Sequence, residues 1–348
     1  MQKKHTIRDI AEMAGVSTGT VDRVIHKRGY VSQVAFEKVN KLLDEINYQP
    51  NLIARNLRNN KVYRICVLIP DPKKDVYWSP CIDGIDKVIS EMETFGIDIE
   101  MSFFDPENSK SFSAGNLAIQ DTIPDAVILV PLFPKEALIA IENYNVLGIM
   151  VSTFNNRMDS SLLKNFVGQD LNQSGRVAAR LLESILNKDG DIAVIHLGQK
   201  DKNDVQIQEK ENGFRYYFKE STHFKNNIIT CKLKQLDFEN ELSVFLKNHK
   251  NLAGVFITTS NAYQVVEVIQ SIIDRKIVVI GYDLLEENVK YLKNKAIDFL
   301  IHQNLKQQAY LCVNTIAEYL LFEKNIPVET FLPIDIINSE NVNIYLSV

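Results

Sequence analysis

The chain is short of most features that would mark an enzyme or a membrane protein. Its longest apolar runs are strand-length, so no helix is expected to cross a bilayer. Two lysines stand near the N-terminus with no apolar core behind them, so a secretory leader is not expected and a cytoplasmic location is. The four cysteines, Cys66, Cys81, Cys231 and Cys312, lack C-x-x-C spacing and histidine neighbours. They read as buried thiols in a reducing compartment, and no metal site is expected. The six histidines are scattered; His5 and His26 lie in the first sixty residues, and His196 and His302 end apolar stretches. No G-x-G-x-x-G follows the first apolar run, and G-x-x-x-x-G-K-[ST], G-x-S-x-G and H-E-x-x-H are missing. No catalytic residue or cofactor is therefore assigned, and the chain is not read as an enzyme.

What is present is ordinary globular material. An apolar content of 45% and a charged content of 24% are enough for a core, and 348 residues leave room for two or three domains. The net charge of −5 hides an asymmetry. Residues 1–60 hold ten Lys and Arg against six Asp and Glu, and the remainder holds 29 against 38. A positive head on a negative body suits a head that meets phosphates.

That head begins with T-I-R-D-I-A-E-M-A-G-V-S-T-G-T-V-D-R-V-I-H-K-R, Thr6 to Arg28. Thr6 with Asp9 makes a capping box, and Ile7, Ile10, Ala11 and Ala14 form an apolar stripe at helical spacing. Gly15 ends the helix. Ser17 caps a second one, with Val21, Val24 and Ile25 inward. Its outer face carries Thr18, Gly19, Asp22, Arg23, Lys27 and Arg28. Two such helices brace each other as in a helix-turn-helix, whose second helix enters the major groove. Ser32 caps a third helix, Val34 to Asn47, with Val39, Leu42, Leu43 and Ile46 as its inner stripe.

The segment A-G-V-S-x-x-T-V-x-R-V (Ala14 to Val24), then V-S (Val31, Ser32), then Y-x-P-N-x-x-A-x-x-L (Tyr48 to Leu57) resembles the headpiece and hinge of the lac-repressor family of bacterial transcription regulators. The resemblance implies DNA contacts from Thr6, Ser17, Thr18, Gly19, Thr20, Asp22, Arg23 and Ser32. It also implies a hinge that coils in the minor groove through Asn51, Ala54 and Arg55, with Leu57 as the apolar wedge. Asp22 and Arg55 depart from the commoner residues of the family, so the operator is not copied from better-known members.

From Val62 the chain alternates strands and helices, the pattern of parallel sheets covered on both faces. So many units exceed one domain and fit two α/β lobes. The resemblance implies the same architecture, a two-lobe body like the periplasmic sugar-binding proteins (type I). The expected domains are a headpiece at 1–47, a hinge or linker at 48–60 and a body at 61–348. The N-lobe is placed at about 61–168 and 304–325, and the C-lobe at about 169–303 and 326–348. Crossings are expected near Gly168, Gln303 and Asn325. Short strands are expected near Phe331 to Ile337 and Val342 to Leu346, and no heptad follows that would make a coiled-coil tetramer.

Ligands of such sheets sit beyond the carboxyl ends of the strands. The polar and aromatic residues there are Asp75, Tyr77, Trp78, Asn155, Arg157, Gln208, Ser260, Asn261, Asp283 and Gln303. Gly168 to Asp170 could either bind or hinge. Together they point to a small sugar, polyol or sugar derivative. The expected protein is a homodimer on a near-palindromic double-stranded operator. It regulates carbohydrate use, as a repressor in most such families, with no membrane partner. The alternatives are a regulator of a non-sugar ligand and a solute-binding protein.

Overall fold

The computed structural model describes residues 5–25, 28–46, 48, 61–186, 189–198, 204–220 and 226–346. They form two compact units, residues 1–61 and 62–348.

Among the described residues the first unit holds three helices: α1 (Ile7–Ala14), α2 (Thr18–Ile25) and α3 (Gln33–Glu45). The capping box forms as the spacing requires. Asp9 N donates to Thr6 Oγ1 at 3.2 Å, and Thr6 N donates to Asp9 Oδ2 at 2.8 Å. Gly15 takes φ +65°, a left-handed turn that an L side chain resists. Helices this short are unstable alone. They hold because Ile10, Ala11, Val21, Val24 and Val39 bury one shared core.

The second unit alternates β1 (Tyr63–Pro70), α4 (Ser79–Met92), β2 (Ile97–Phe104), α5 (Ser109–Thr122), β3 (Ala126–Leu129), α6 (Pro134–Val146), β4 (Met150–Phe154) and β5 (Asn165–Gly168). It continues with α7 (Leu171–Ile185), β6 (Asp191–Leu197), α8 (Asp204–Glu220), β7 (Ile228–Leu233), α9 (Phe238–Asn248), β8 (Leu252–Ile257), α10 (Ala262–Ile272) and β9 (Val278–Tyr282). It closes with α11 (Glu286–Lys293), β10 (Phe299–His302), α12 (Leu305–Phe322), β11 (Glu329–Phe331), β12 (Asp335–Ile337) and α13 (Val342–Leu346). Two six-stranded sheets result, ordered β11-β5-β4-β3-β1-β2 and β12-β10-β9-β8-β6-β7. Among the described residues all pairs are parallel except β10 with β12. The unbroken apolar run of β1, buried from Ile65 to Pro70, is what a strand covered on both faces needs.

Three chain crossings join the sheets. The first two fall at Gln169, after β5, and at Gln303, after β10. The third does not fall near Asn325. Residues 329–331 pair with β5 and complete the first sheet, so the crossing lies at 332–334. The first lobe therefore gains a strand that its three-residue length concealed. The tail from Val342 to Leu346 is a short helix, not a strand; only Val342 of it is buried. Ser32 flanks α3 but makes no side-chain cap.

The crossings are tied together by one amide. Gln169, buried, donates from Nε2 to His302 O at 2.9 Å and to Pro333 O at 3.1 Å. The residue on the first crossing thus holds carbonyls at the other two. In each lobe a helix pair approaches to backbone contact. A Cβ on Gly84 of α4 would stand 2.2 Å from Lys306 O, and one on Gly213 of α8 would stand 1.9 Å from Asn172 O. Only glycine permits that approach. The four cysteines are buried and free.

Candidate nucleic-acid interface and effector cleft

In the head, the turn between α1 and α2 fixes which side chains face outward. Ser17 Oγ accepts from Thr20 N at 3.1 Å and pairs with Thr20 Oγ1 at 2.9 Å, so these two hydroxyls brace the start of α2. Thr6 is likewise engaged in its cap. That leaves Thr18, Gly19 and Arg23 exposed on the outer face, where a helix laid in a groove presents its base-reading side chains. Asp22 is half-buried beside them, and Ser32 is exposed. Tyr30, fully outward in the turn before α3, is an exposed aromatic not singled out from the sequence. Asn51, Ala54, Arg55 and Leu57 of the hinge, and Lys27, lie outside the described residues.

In the body, the carboxyl ends of β1, β4, β8 and β9 bring one polar cluster together. Asp283, just past β9, is 4% exposed and takes φ +64°. Its Oδ2 accepts from Ser260 Oγ and from Gln303 Nε2, both at 2.7 Å. The same Gln303 amide donates to Tyr77 Oη at 3.1 Å. Asn155, just past β4 and also left-handed at φ +66°, reaches Tyr77 Oη with its Nδ2 at 3.4 Å. These αL turns aim both side chains inward, a geometry that clusters at binding sites. Burial, then the Asp283 charge, pushes the Tyr77 hydroxyl well above its ordinary range, so it is a neutral donor and acceptor.

Sequence reasoning missed three members. Gln206 at the start of α8 crosses between lobes and donates from Nε2 to Asn155 O at 3.0 Å. Lys210, one turn on, is 5% exposed; its Nζ donates to Thr258 O at 3.0 Å and lies 3.7 Å from the Tyr282 ring centroid. Burial lowers its pKa to about 8 against the opposing pull of Asp283. Asn288 donates to the carbonyls of Ser260, Tyr282 and Asp283 and shapes the loops that hold the carboxylate.

Other expected residues are placed differently. Trp78 does not offer a face to the cleft; it is 3% exposed within the first lobe's core and packs edge-on against Tyr77 at 4.9 Å. Gln208 is exposed on α8 and bonds Asn212 Oδ1 at 3.3 Å, two residues out of phase with the inward face. Asn261 flanks α10 without capping it and does not join the cluster. Asp75 accepts from Tyr77 N at 3.1 Å and so sets the turn that presents Tyr77. Arg157, half-exposed, pairs with Glu329 at 2.7 Å.

Behind the cluster, α8 is anchored by a buried ionic network. Glu211 meets His196 Nε2 at 2.6 Å, Arg215 Nε at 2.7 Å and the Thr230 hydroxyl. Burial disfavours its charge, but hydrogen bonds from His196, Thr230 and Arg215 outweigh that and hold the carboxyl down at about 2.

Among the described residues no helix is long and apolar enough to span a membrane, and no group of His, Cys, Asp or Glu could hold a metal. The arrangement suits reversible binding of a small polar molecule between lobes. Residues 6–51 match the bacterial regulatory proteins of the lacI family, and residues 65–324 match the periplasmic binding protein domain. The chain is 25% identical to the sucrose operon repressor of Streptococcus mutans over 97% of this chain and 99% of that one. It is 24% identical to the ribose operon repressor of Halalkalibacterium halodurans over 80% of each. A crystal structure assigned to a LacI transcriptional regulator from Bacteroides fragilis superposes with a TM-score of 0.74 at 28% identity, covering 82% of this chain and 100% of that one. The chain therefore belongs to the family of periplasmic binding protein domains, carried behind a DNA-binding head of the bacterial regulatory lacI family.

Proposed function

We propose that this protein is a sequence-specific transcriptional regulator of a carbohydrate-use operon, a repressor that releases or grips its operator according to a small sugar or polyol between its lobes. The single observation that carries the reading is the Asp283–Gln303–Tyr77–Asn155 cluster, drawn from both lobes and the crossing between them. The similarity to sucrose and ribose operon repressors supports the carbohydrate class. The protein acts by binding and not by turnover, in the cytoplasm.

A near-palindromic operator calls for two heads. The homodimer is supported by the edge strand β2 and neighbouring α5, which leave Phe103 and Leu117 exposed. Effector binding changes the angle between lobes about the Gln169 hinge, and the hinge segment with Leu57 transmits it to the operator. The effector acts only through unequal affinity for two states, worth about 1–3 kcal/mol of coupling. Fluorescence anisotropy on promoter fragments, with and without candidate sugars, tests this. Operator binding that every sugar leaves unchanged would refute the reading.

A further inference from the structure

A hollow of about 620 Å³ lies at the far end of the second lobe, where β8, β9 and β10 begin. That volume is in the range of small-molecule sites. The same strands run from it toward Ser260, Asp283 and Gln303, so it is a separate place from the cleft between the lobes. Helix α7 stops at Ile185, and beyond its end Val278 of β9 and Phe299 of β10 are only half-buried against the aromatic core of Phe214, Phe256 and Tyr282. With Ile185, Leu186 and Ala253 they make an apolar floor. A concave apolar floor left in water gains free energy when an apolar body covers it.

The rim sets the charge of that body. It carries three cations, Lys250, Arg275 and Lys276, and two carboxylates, Asp189 and Asp298. Asp298 is already spent: Oδ1 meets Lys276 Nζ at 2.9 Å and Oδ2 accepts from Val279 N at 2.8 Å. Asp189 is exposed just beyond α7. Lys250 and Arg275 have no carboxylate partner among the described residues. Both follow helix C-termini, whose carbonyls favour positive charge. That accounts for one donor, Arg275 Nη2 on Lys250 O at 2.9 Å, and it fixes the guanidinium in place. The other N–H groups of the fork are left for a ligand, in the geometry that takes a carboxylate through two parallel bonds. One negative charge balances this rim; the second charge of a phosphate monoester would have no match.

We propose that this hollow is a second ligand site, for an amphiphilic monoanion. The carboxylate lies on Arg275 and Lys250, and its aliphatic or aromatic body covers Val278 and Phe299.

Isothermal titration of the full chain with octanoate, acetate, 1-octanol, octylamine and octyl phosphate tests both halves of the recognition. Octanoate should bind saturably. Acetate, without the apolar body, should be weaker by about a hundredfold. Octanol and octylamine, without the negative charge, should each be weaker by about tenfold or more. No saturable octanoate binding overturns the proposal, as does octanol or octylamine binding equally well. Octyl phosphate binding about tenfold tighter than octanoate would overturn the single-charge match.

Hydrogen exchange locates the site. Octanoate should protect the backbone at Leu186, Ala253, Val278 and Phe299. Protection at Asp283 and Gln303 instead, or at Leu246 and Ile272 in the neighbouring hollow of about 430 Å³, would overturn the assignment. Arg275→Glu combined with Lys250→Glu, both at exposed positions, should weaken octanoate by about tenfold or more with a native circular dichroism spectrum. If that variant does not fold, Lys250→Gln removes one cation without breaking a side-chain bond and should weaken octanoate several-fold. Unchanged affinity in a folded variant would refute the role of the two cations.

Discussion

Glu211 offers a quantitative test of how the cleft is braced. Its carboxyl lies at about 2 in the folded protein against an ordinary 4.5, held down by His196, Thr230 and Arg215 despite burial. A depression of that size corresponds to roughly 3 kcal/mol at pH 7, at about 1.4 kcal/mol per unit. The sign follows from the direction. The folded carboxyl is the stronger acid, so its contribution is complete above the unfolded value of 4.5 and fades as pH falls toward 2. Glu211→Gln removes the charge while keeping the shape. It should lower the unfolding free energy by about 2–3 kcal/mol at neutral pH. The deficit should shrink to about half or less at pH 3, where the wild-type carboxyl is losing its advantage. Urea titrations followed by circular dichroism at pH 7, 4.5 and 3 give the three numbers. The fluorescence of Trp78, buried in the first lobe, reports whether that lobe unfolds with the second. A difference under about 0.5 kcal/mol at pH 7, or one that stays constant down to pH 3, would refute the claim that ionic anchoring of α8 holds this wall of the cleft.

Other expectations bear on the head, the hinge and the packing. Arg23→Ala and Thr18→Ala should each cost about 1–3 kcal/mol in operator binding, seen by anisotropy at fixed salt, and leave sugar affinity untouched. Gly213→Ala drives a methyl into Asn172 O and should destabilise the body by about 1–3 kcal/mol or more, read as a fall in thermal midpoint. Gln169→Leu leaves the His302 and Pro333 carbonyls without their shared donor, a loss of about 1 kcal/mol for each bond. Its diagnostic effect is on response: sugar should still bind in calorimetry, with less change in operator affinity than in wild type. Asp283→Asn should abolish or strongly weaken sugar binding while the circular dichroism spectrum stays native.

Where a pattern extends over several turns or strands, the sequence spoke clearly. The capping box at Thr6 and Asp9, the stripe of Ile10, Ala11, Val21 and Val24, and the alternation that places Asp283 and Asn155 after strands all rest on such patterns. The errors lie where a single local cue had to settle phase. On α8 the stretch D-V-Q-I-Q-E-K-E-N is polar on every side. Its periodicity could not tell that Gln206 and Lys210 face inward and Gln208 outward. Lys210 was hidden further by its type, since a lysine is rarely buried without a partner that only the fold reveals. The tail N-V-N-I-Y-L alternates like a strand, yet five residues fit one helical turn as well. Glu329 to Phe331 carries no signal of its own. Its pairing with β5 is decided by where the returning chain is led.

That last strand has a consequence for how the protein is made. Residues 329–331 complete the sheet that begins at Tyr63, and residues 335–337 complete the other. Neither half of the body is a continuous stretch, so neither can reach its final form before residues 329–337 have left the ribosome. The earliest-made lobe must wait with an unfilled edge until residues 329–331 have been synthesised. A cut just before residue 329 would leave both halves unfinished at once.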